Sequence, residues 1–169
     1  MKKLVLALLL ILLQLFTACS ETTYHSNEEI GRAFQRHKST FENVAVSAVG
    51  ENSGYIHKLD AEGQETECGD SGCKLMEADG LHIHLQREMS DTELRHIAEA
   101  ALALMENVDI ESISFSQEAV RFHLKDESEY SWDPTIVYWR ADDADEGKIG
   151  YGEAVCRLAD HWYAALITR

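Results

Sequence analysis

The sequence predicts an α+β fold in which an antiparallel sheet carries three helices on one face. Three observations carry that prediction. Two Ser-x-x-Glu capping signatures, Ser26 with Glu29 and Ser90 with Glu93, each open an apolar stripe of helical period. Several short stretches alternate apolar and polar residues between turn-forming residues. The composition suits a single globular unit: 169 residues, 45% hydrophobic, with 10 Gly and 1 Pro.

The elements follow in chain order. After the cap at Ser26, the residues Ile30, Phe34 and Phe41 mark the first helix. Alternation then predicts strands at 43–50, 55–59, 74–77 and 81–86, with turns at 51–54 and at Asp79-Gly80. Behind the second cap, Leu94, Ile97, Ala98, Ala101, Met105 and Val108 form the stripe of the second helix. Further strands are expected at 110–115, 119–125 and 136–140, with a short candidate at 148–152. A third helix is expected at 153–167, where Val155, Leu158, Ala159, Trp162 and Leu166 fall on one stripe. Ser26, Glu29, Glu42, Asn43 and Val44 recur 64 residues later as Ser90, Glu93, Glu106, Asn107 and Val108. That spacing makes an α-β-β-β-β duplication a candidate, with the third helix starting on the same period.

The leader reads MKKLVLALLLILLQLFTACS, with Lys2 and Lys3 ahead of an apolar run at 4–13. Such a run is too short to span a bilayer and fits the apolar region of a signal peptide. Its end, Phe16-Thr17-Ala18-Cys19, resembles the lipobox of bacterial lipoproteins, with Phe16 in place of the usual aliphatic residue. The resemblance implies a signal peptide at 1–18, a lipidated Cys19 with a short tether at 19–25, and one α+β domain at 26–169. It further implies an envelope protein held by its lipid, and Ser20 after the cysteine implies the outer membrane, facing the periplasm. The competing reading is an ordinary secretory leader cut nearby, with Cys19 left as a thiol.

The remaining thiols are Cys68, Cys73 and Cys156. An oxidising compartment permits a Cys68–Cys73 disulfide closing a Gly-rich hexapeptide, with Cys156 on the apolar stripe of the third helix. Pairing of either with Cys156 stays open. The string Gly69-Asp70-Ser71-Gly72 resembles the nucleophile segment of chymotrypsin-like proteases, but Cys73 follows and the chain is too short for that double barrel. It reads as a turn.

Charge narrows the partner. The chain has 15 Lys+Arg against 30 Asp+Glu, a formal charge of -15. Loss of 1–18 removes two lysines and no acid, so 13 bases face 30 acids and the charge becomes -17. A surface of that sign excludes partners held by counterion release, nucleic acid first. It steers and holds a basic protein. The expected contacts are the acidic loop Asp142, Asp143, Asp145 and Glu146, or a strand face bearing His82, His84 and His123, which alternation turns toward water.

Cofactors other than the lipid on Cys19 are not expected. His82, His84 and His123, with His57 as a neighbour, are the candidate ligands should zinc or copper bind. Residues 142–153 resemble an EF-hand calcium loop through Asp142, Gly147, Ile149 and Glu153, yet Ala144 stands where a ligand oxygen is required. An acidic loop leading into a helix is the plainer reading. No G-x-S-x-G, phosphate-cradling Gly loop or local cysteine signature appears, so binding rather than catalysis is expected. The sequence therefore reads as an acidic lipoprotein that binds protein, an inhibitor or immunity protein against a basic envelope hydrolase or antibacterial effector. The alternatives are a structural or assembly accessory of the envelope and a periplasmic metal-binding lipoprotein.

Overall fold

The computed structural model describes residues 26–48, 53–58, 74–78, 80–85, 90–125, 132–142, 149 and 155–168. The leader, Cys19, Cys68, Cys73, Asp143, Asp145 and Glu146 lie outside them, as does most of the EF-hand-like loop. Two helices and eight strands are described: α1 (Asn27–Ser47), β1 (Ser53–Lys58), β2 (Lys74–Ala78), β3 (Leu81–Leu85), α2 (Asp91–Asn107), β4 (Ile110–Ser116), β5 (Ala119–Leu124), β6 (Trp132–Trp139), β7 (Val155–Ala159) and β8 (Trp162–Thr168). All strands join one sheet in the order β2-β3-β1-β4-β5-β6-β8-β7, antiparallel at every pairing. The α+β class is as expected.

Both helices start where the caps place them. Ser26 Oγ accepts the Glu29 amide at 3.3 Å, and Ser90 with Glu93 completes a reciprocal capping box. Each satisfies helix-end donors that have no partner within the helix. Acids in the first turns, Glu28 and Glu29 in α1 and Asp91 and Glu93 in α2, complement the macrodipole. A break at His37 (φ -118°, ψ 20°) bends α1. On either side of it Phe34 and Phe41 are fully buried, and both rings pack against Trp162.

The expected strand at 43–50 is helix instead as far as Ser47. Val44 and Ala45 extend the buried stripe of Phe41 at helical spacing, and Val46, which suggested alternation, is 69% exposed. The third helix is also corrected. Residues 155–168 form the β7–β8 hairpin. Along β8, Trp162 and Ala164 enter the main core while Tyr163 and Ala165 join a second cluster on the opposite face. A strand buried on both faces is a continuous apolar run, which periodicity cannot separate from a buried helix. The turn at Asp160-His161 has His161 at φ 63°, a region His enters more readily than most residues. His161 Nδ1 donates to the Trp139 carbonyl at 3.0 Å and holds that turn against β6.

β6 starts at Trp132 rather than 136. Pro134 lies outside the β5–β6 ladder, whose first pair is His123 with Thr135, so its missing N–H removes no rung there. The 64-residue spacing survives in the helix caps but not in the sheet. The three strands after α1 pair as β2-β3-β1, those after α2 as β4-β5-β6, and the third helix of the period is a strand. Among the described residues each helix is followed by at least three strands, but their order in the sheet does not repeat.

The main core lies between the helices and one sheet face, where Leu81, Ile83, Leu85, Val120, Phe122 and Leu124 point as expected. Burying each such side chain stabilises the fold by about 1.5–3 kcal/mol. The second face is divided. Ala119, Val137, Trp139, Tyr163 and Ala165 pack there beside Ile149 as an apolar patch, while Arg121 and His123 of β5 and Thr135 of β6 are polar. Over β1, β3 and β4 it is polar.

Candidate functional site

Strand register builds the polar half of that face. β3 places His82 opposite His57 and His84 opposite Tyr55 on β1; β4 places Ser112 opposite His57 and Ser114 opposite Tyr55. Ser112 in turn faces His123, and His123 faces Thr135. One row across the sheet thus reads His82, His57, Ser112, His123, Thr135. The next reads His84, Tyr55, Ser114, Arg121. Alternate residues of a strand share a face, so Tyr55-Ile56-His57 and His82-Ile83-His84 deliver two adjacent pairs of polar rings.

The rings form a connected cluster. His82 Nδ1 lies 3.2 Å from His57 Nε2, and Tyr55 Oη lies 3.0 Å from His84 Nε2. Tyr55 stacks on His84 with centroids 4.2 Å apart, and His82 meets His84 edge-on at 4.6 Å. Contrary to the expectation of a water-facing set, His82 is 1% and His84 2% exposed. Alternation identifies the face of a strand but not what covers it, and here the second face is not solvent. Burial, reinforced by the neighbouring His82 and His57, lowers the His84 pKa below the ordinary histidine value. The ring is therefore neutral at neutral pH. His82 Nε2 is buried without a hydrogen-bond partner.

His123 does not belong to this cluster. β1 and β4 lie between its strand and that of His82 and His84, about 14 Å at the usual interstrand spacing. It sits 3.0 Å from Ser114 Oγ instead. Burial lowers its pKa; Arg121 acts in the same direction and Asp133 against it. The sequence already held His57 as a neighbour of the set. It missed Tyr55, which only the β1–β3 register brings to His84. Among the described residues, no group of three His, Cys, Asp or Glu side chains is arranged to hold a metal ion.

An open pocket of about 590 Å³ adjoins the cluster, with His57, Ser112, Lys58, Lys125, Asp109 and Glu111 among its walls. It gives His57 a route to solvent that His82 and His84 lack.

The second candidate region is one end of the sheet. There the β4–β5 turn presents Glu118, the end of β6 presents Asp142, and the β7–β8 turn presents Asp160, all exposed. The Arg140 amide donates to the Glu118 carbonyl at 2.9 Å and the Trp139 amide to the His161 carbonyl at 2.7 Å, tying the three segments together. Asp142 stands 3.7 Å from His161 Nε2, and Asp160 pairs with Arg157. Of the expected acidic loop, Asp142 is thus placed at this end.

Cys156, expected on a helix stripe, is a free and exposed thiol on the edge strand β7. Among the described residues no helix is long and apolar enough to cross a membrane. Searches among protein-family models, curated proteins and solved structures find no match to this chain.

Proposed function

We propose that the chain is a lipid-anchored acidic binding module of the bacterial cell envelope, facing the periplasm from the outer membrane, which occludes a basic protein. An envelope hydrolase or an antibacterial effector is the class of partner that this charge and this address suit. The carrying observation is the clustering of exposed Glu118, Asp142 and Asp160 at one end of the sheet. Asp143, Asp145 and Glu146 follow Asp142 directly in sequence. Carboxylates held on short, mutually bonded turns present a fixed negative surface, which speeds encounter with a basic partner and fixes its orientation. Binding, not turnover, is the role.

The test is affinity capture with the mature, detergent-solubilised chain at low and high salt, followed by association kinetics of the captured protein. The reading expects a basic partner whose association rate falls with ionic strength. It also expects a further fall on charge reversal at Asp142, Asp143 and Asp145. A partner whose association ignores both salt and these reversals overturns it.

A further inference from the structure

We propose that the groove between α1 and α2 seats a basic amphipathic helix of a partner protein. The proposal rests on the reading above and deepens it, by naming the segment through which a basic partner is held. The groove has a volume of about 560 Å³. Every described residue of its lining is exposed or half-buried, so it opens to water. Helical spacing builds both walls: Glu42 and Val46 stand one turn apart on α1, and Glu99 and Ala103 one turn apart on α2. Ala100 and Ala103 keep the α2 wall low, so the backbone of an incoming helix can approach closely. Two helices side by side offer a further helix the same ridge-and-groove contact that packs them on each other.

Three observations select the occupant. Val46 is 69% exposed, the one large hydrophobic side chain so exposed among the described residues, and supplies an apolar anchor for a helix laid in the groove. Glu42 and Glu99 place a carboxylate on each wall, and among the described residues the lining has no Lys or Arg. Lys38 pairs with Glu42 at 3.6 Å, but both side chains are nearly half exposed, and such a pair yields readily to a competing cation. A second copy of the chain would set these carboxylates against their own copies, which like-charge repulsion opposes. Third, the groove adjoins the acidic end of the sheet. Ser47 lines it, and the next residue, Ala48, accepts a hydrogen bond from Arg140 Nη2 at 2.9 Å. The Arg140 amide is bonded in turn to the Glu118 carbonyl, and Asp142 follows two residues on. Attraction to the acidic end draws the partner in, and the groove beside it holds one of its helices.

The experiment uses the whole mature chain carrying Cys19→Ser, so that neither lipid nor detergent competes for an amphipathic peptide. The probes are two fluorescein-labelled synthetic peptides, an amphipathic Leu/Lys helix and its Leu/Glu counterpart, read by fluorescence anisotropy. The expected result is saturable binding of the Leu/Lys helix and none of the Leu/Glu helix. Val46→Ser weakens it by about fivefold, and Glu42→Gln with Glu99→Gln by about three- to tenfold. Glu28→Gln with Glu111→Gln, an equal charge change away from the groove, weakens it by less than about twofold. Circular dichroism confirms the fold of each variant, all of which alter exposed side chains. No binding of the Leu/Lys helix at low salt overturns the proposal. So does binding that ignores Val46→Ser and responds equally to the two glutamate pairs. If that binding is instead lost on Asp142→Asn with Asp160→Asn, the acidic binding module stands without the groove. A dimer in sedimentation that Val46→Ser dissociates assigns the groove to a second copy and also overturns the proposal.

Discussion

The Ser114 hydroxyl lies 3.0 Å from Nε2 of His123, a contact made diagonally across the β4–β5 ladder. Burial holds this imidazole below its ordinary pKa, so the folded protein takes up the proton at lower pH than the unfolded chain does. The unfolded state therefore binds more protons once the pH drops below about 6.5. Stability should be level above that value and fall as pH descends toward the folded pKa. His84 contributes with the same sign. Urea midpoints measured between pH 8 and pH 5 should show the decline, and His123→Gln should reduce its slope without abolishing it. A slope unchanged by that substitution would show that the imidazole carries none of it.

Gly54 and Gly31 should respond to alanine in opposite ways. A Cβ on Gly54 would sit 2.3 Å from the His84 carbonyl oxygen, a backbone atom that can yield only by opening the β1–β3 ladder. The loss should reach about 1–3 kcal/mol or more. Among the described residues, a Cβ on Gly31, within a helix, meets only the end of the Leu158 side chain at 3.4 Å. There alanine should gain about 0.5–1 kcal/mol. Thermal melts of the two variants check both signs.

Phe41 is the hub of the aromatic core. It is fully buried, with its centroid 4.9 Å from Phe122 and 5.7 Å from Phe34. Phe41→Ala should cost about 3–5 kcal/mol, transfer and cavity terms together. Denaturant unfolding monitored by tryptophan fluorescence reads it directly, since Trp162 is part of the same cluster.

Ser90 makes the reciprocal capping box of α2. Ser90→Ala should cost about 0.5–2 kcal/mol. Amide exchange should accelerate in the first turn of α2, with little change at Leu104 and Met105.

How far the sequence could be read depended on whether each signal was local. The caps were legible because Ser26–Glu29 and Ser90–Glu93 lie three residues apart and need no tertiary partner. The apolar faces of β3 and β5 were legible because alternation is a property of one strand. The β7–β8 hairpin was not. Its turn is Asp160-His161 rather than a Gly-containing pair, and its apolar residues serve two opposite clusters, so both strand signals were missing. The end of α1 was misread because Val44 and Val46 suggested a strand, although Phe41, Val44 and Ala45 share one buried helical face. At the candidate site, the rings of β3 were visible in sequence. Their union with Tyr55, and their separation from His123, depend on strand order, which no local pattern encodes.

The position of β1 has a kinetic consequence. It lies between β3 and β4, so its two hydrogen-bonding edges are filled from segments on opposite sides of α2. A chain growing from its N-terminus can pair β1 with β3 early, but the Ser53–Ser116 rung must wait until α2 and β4 have emerged. Long-range pairing of this kind slows folding far more than it lowers stability. Until it forms, the early three-stranded leaf exposes an unpaired edge on β1 in addition to that of the terminal strand β2, a template for association with other chains. The first half of this sequence therefore depends on the second for protection against aggregation as well as for completion of its sheet.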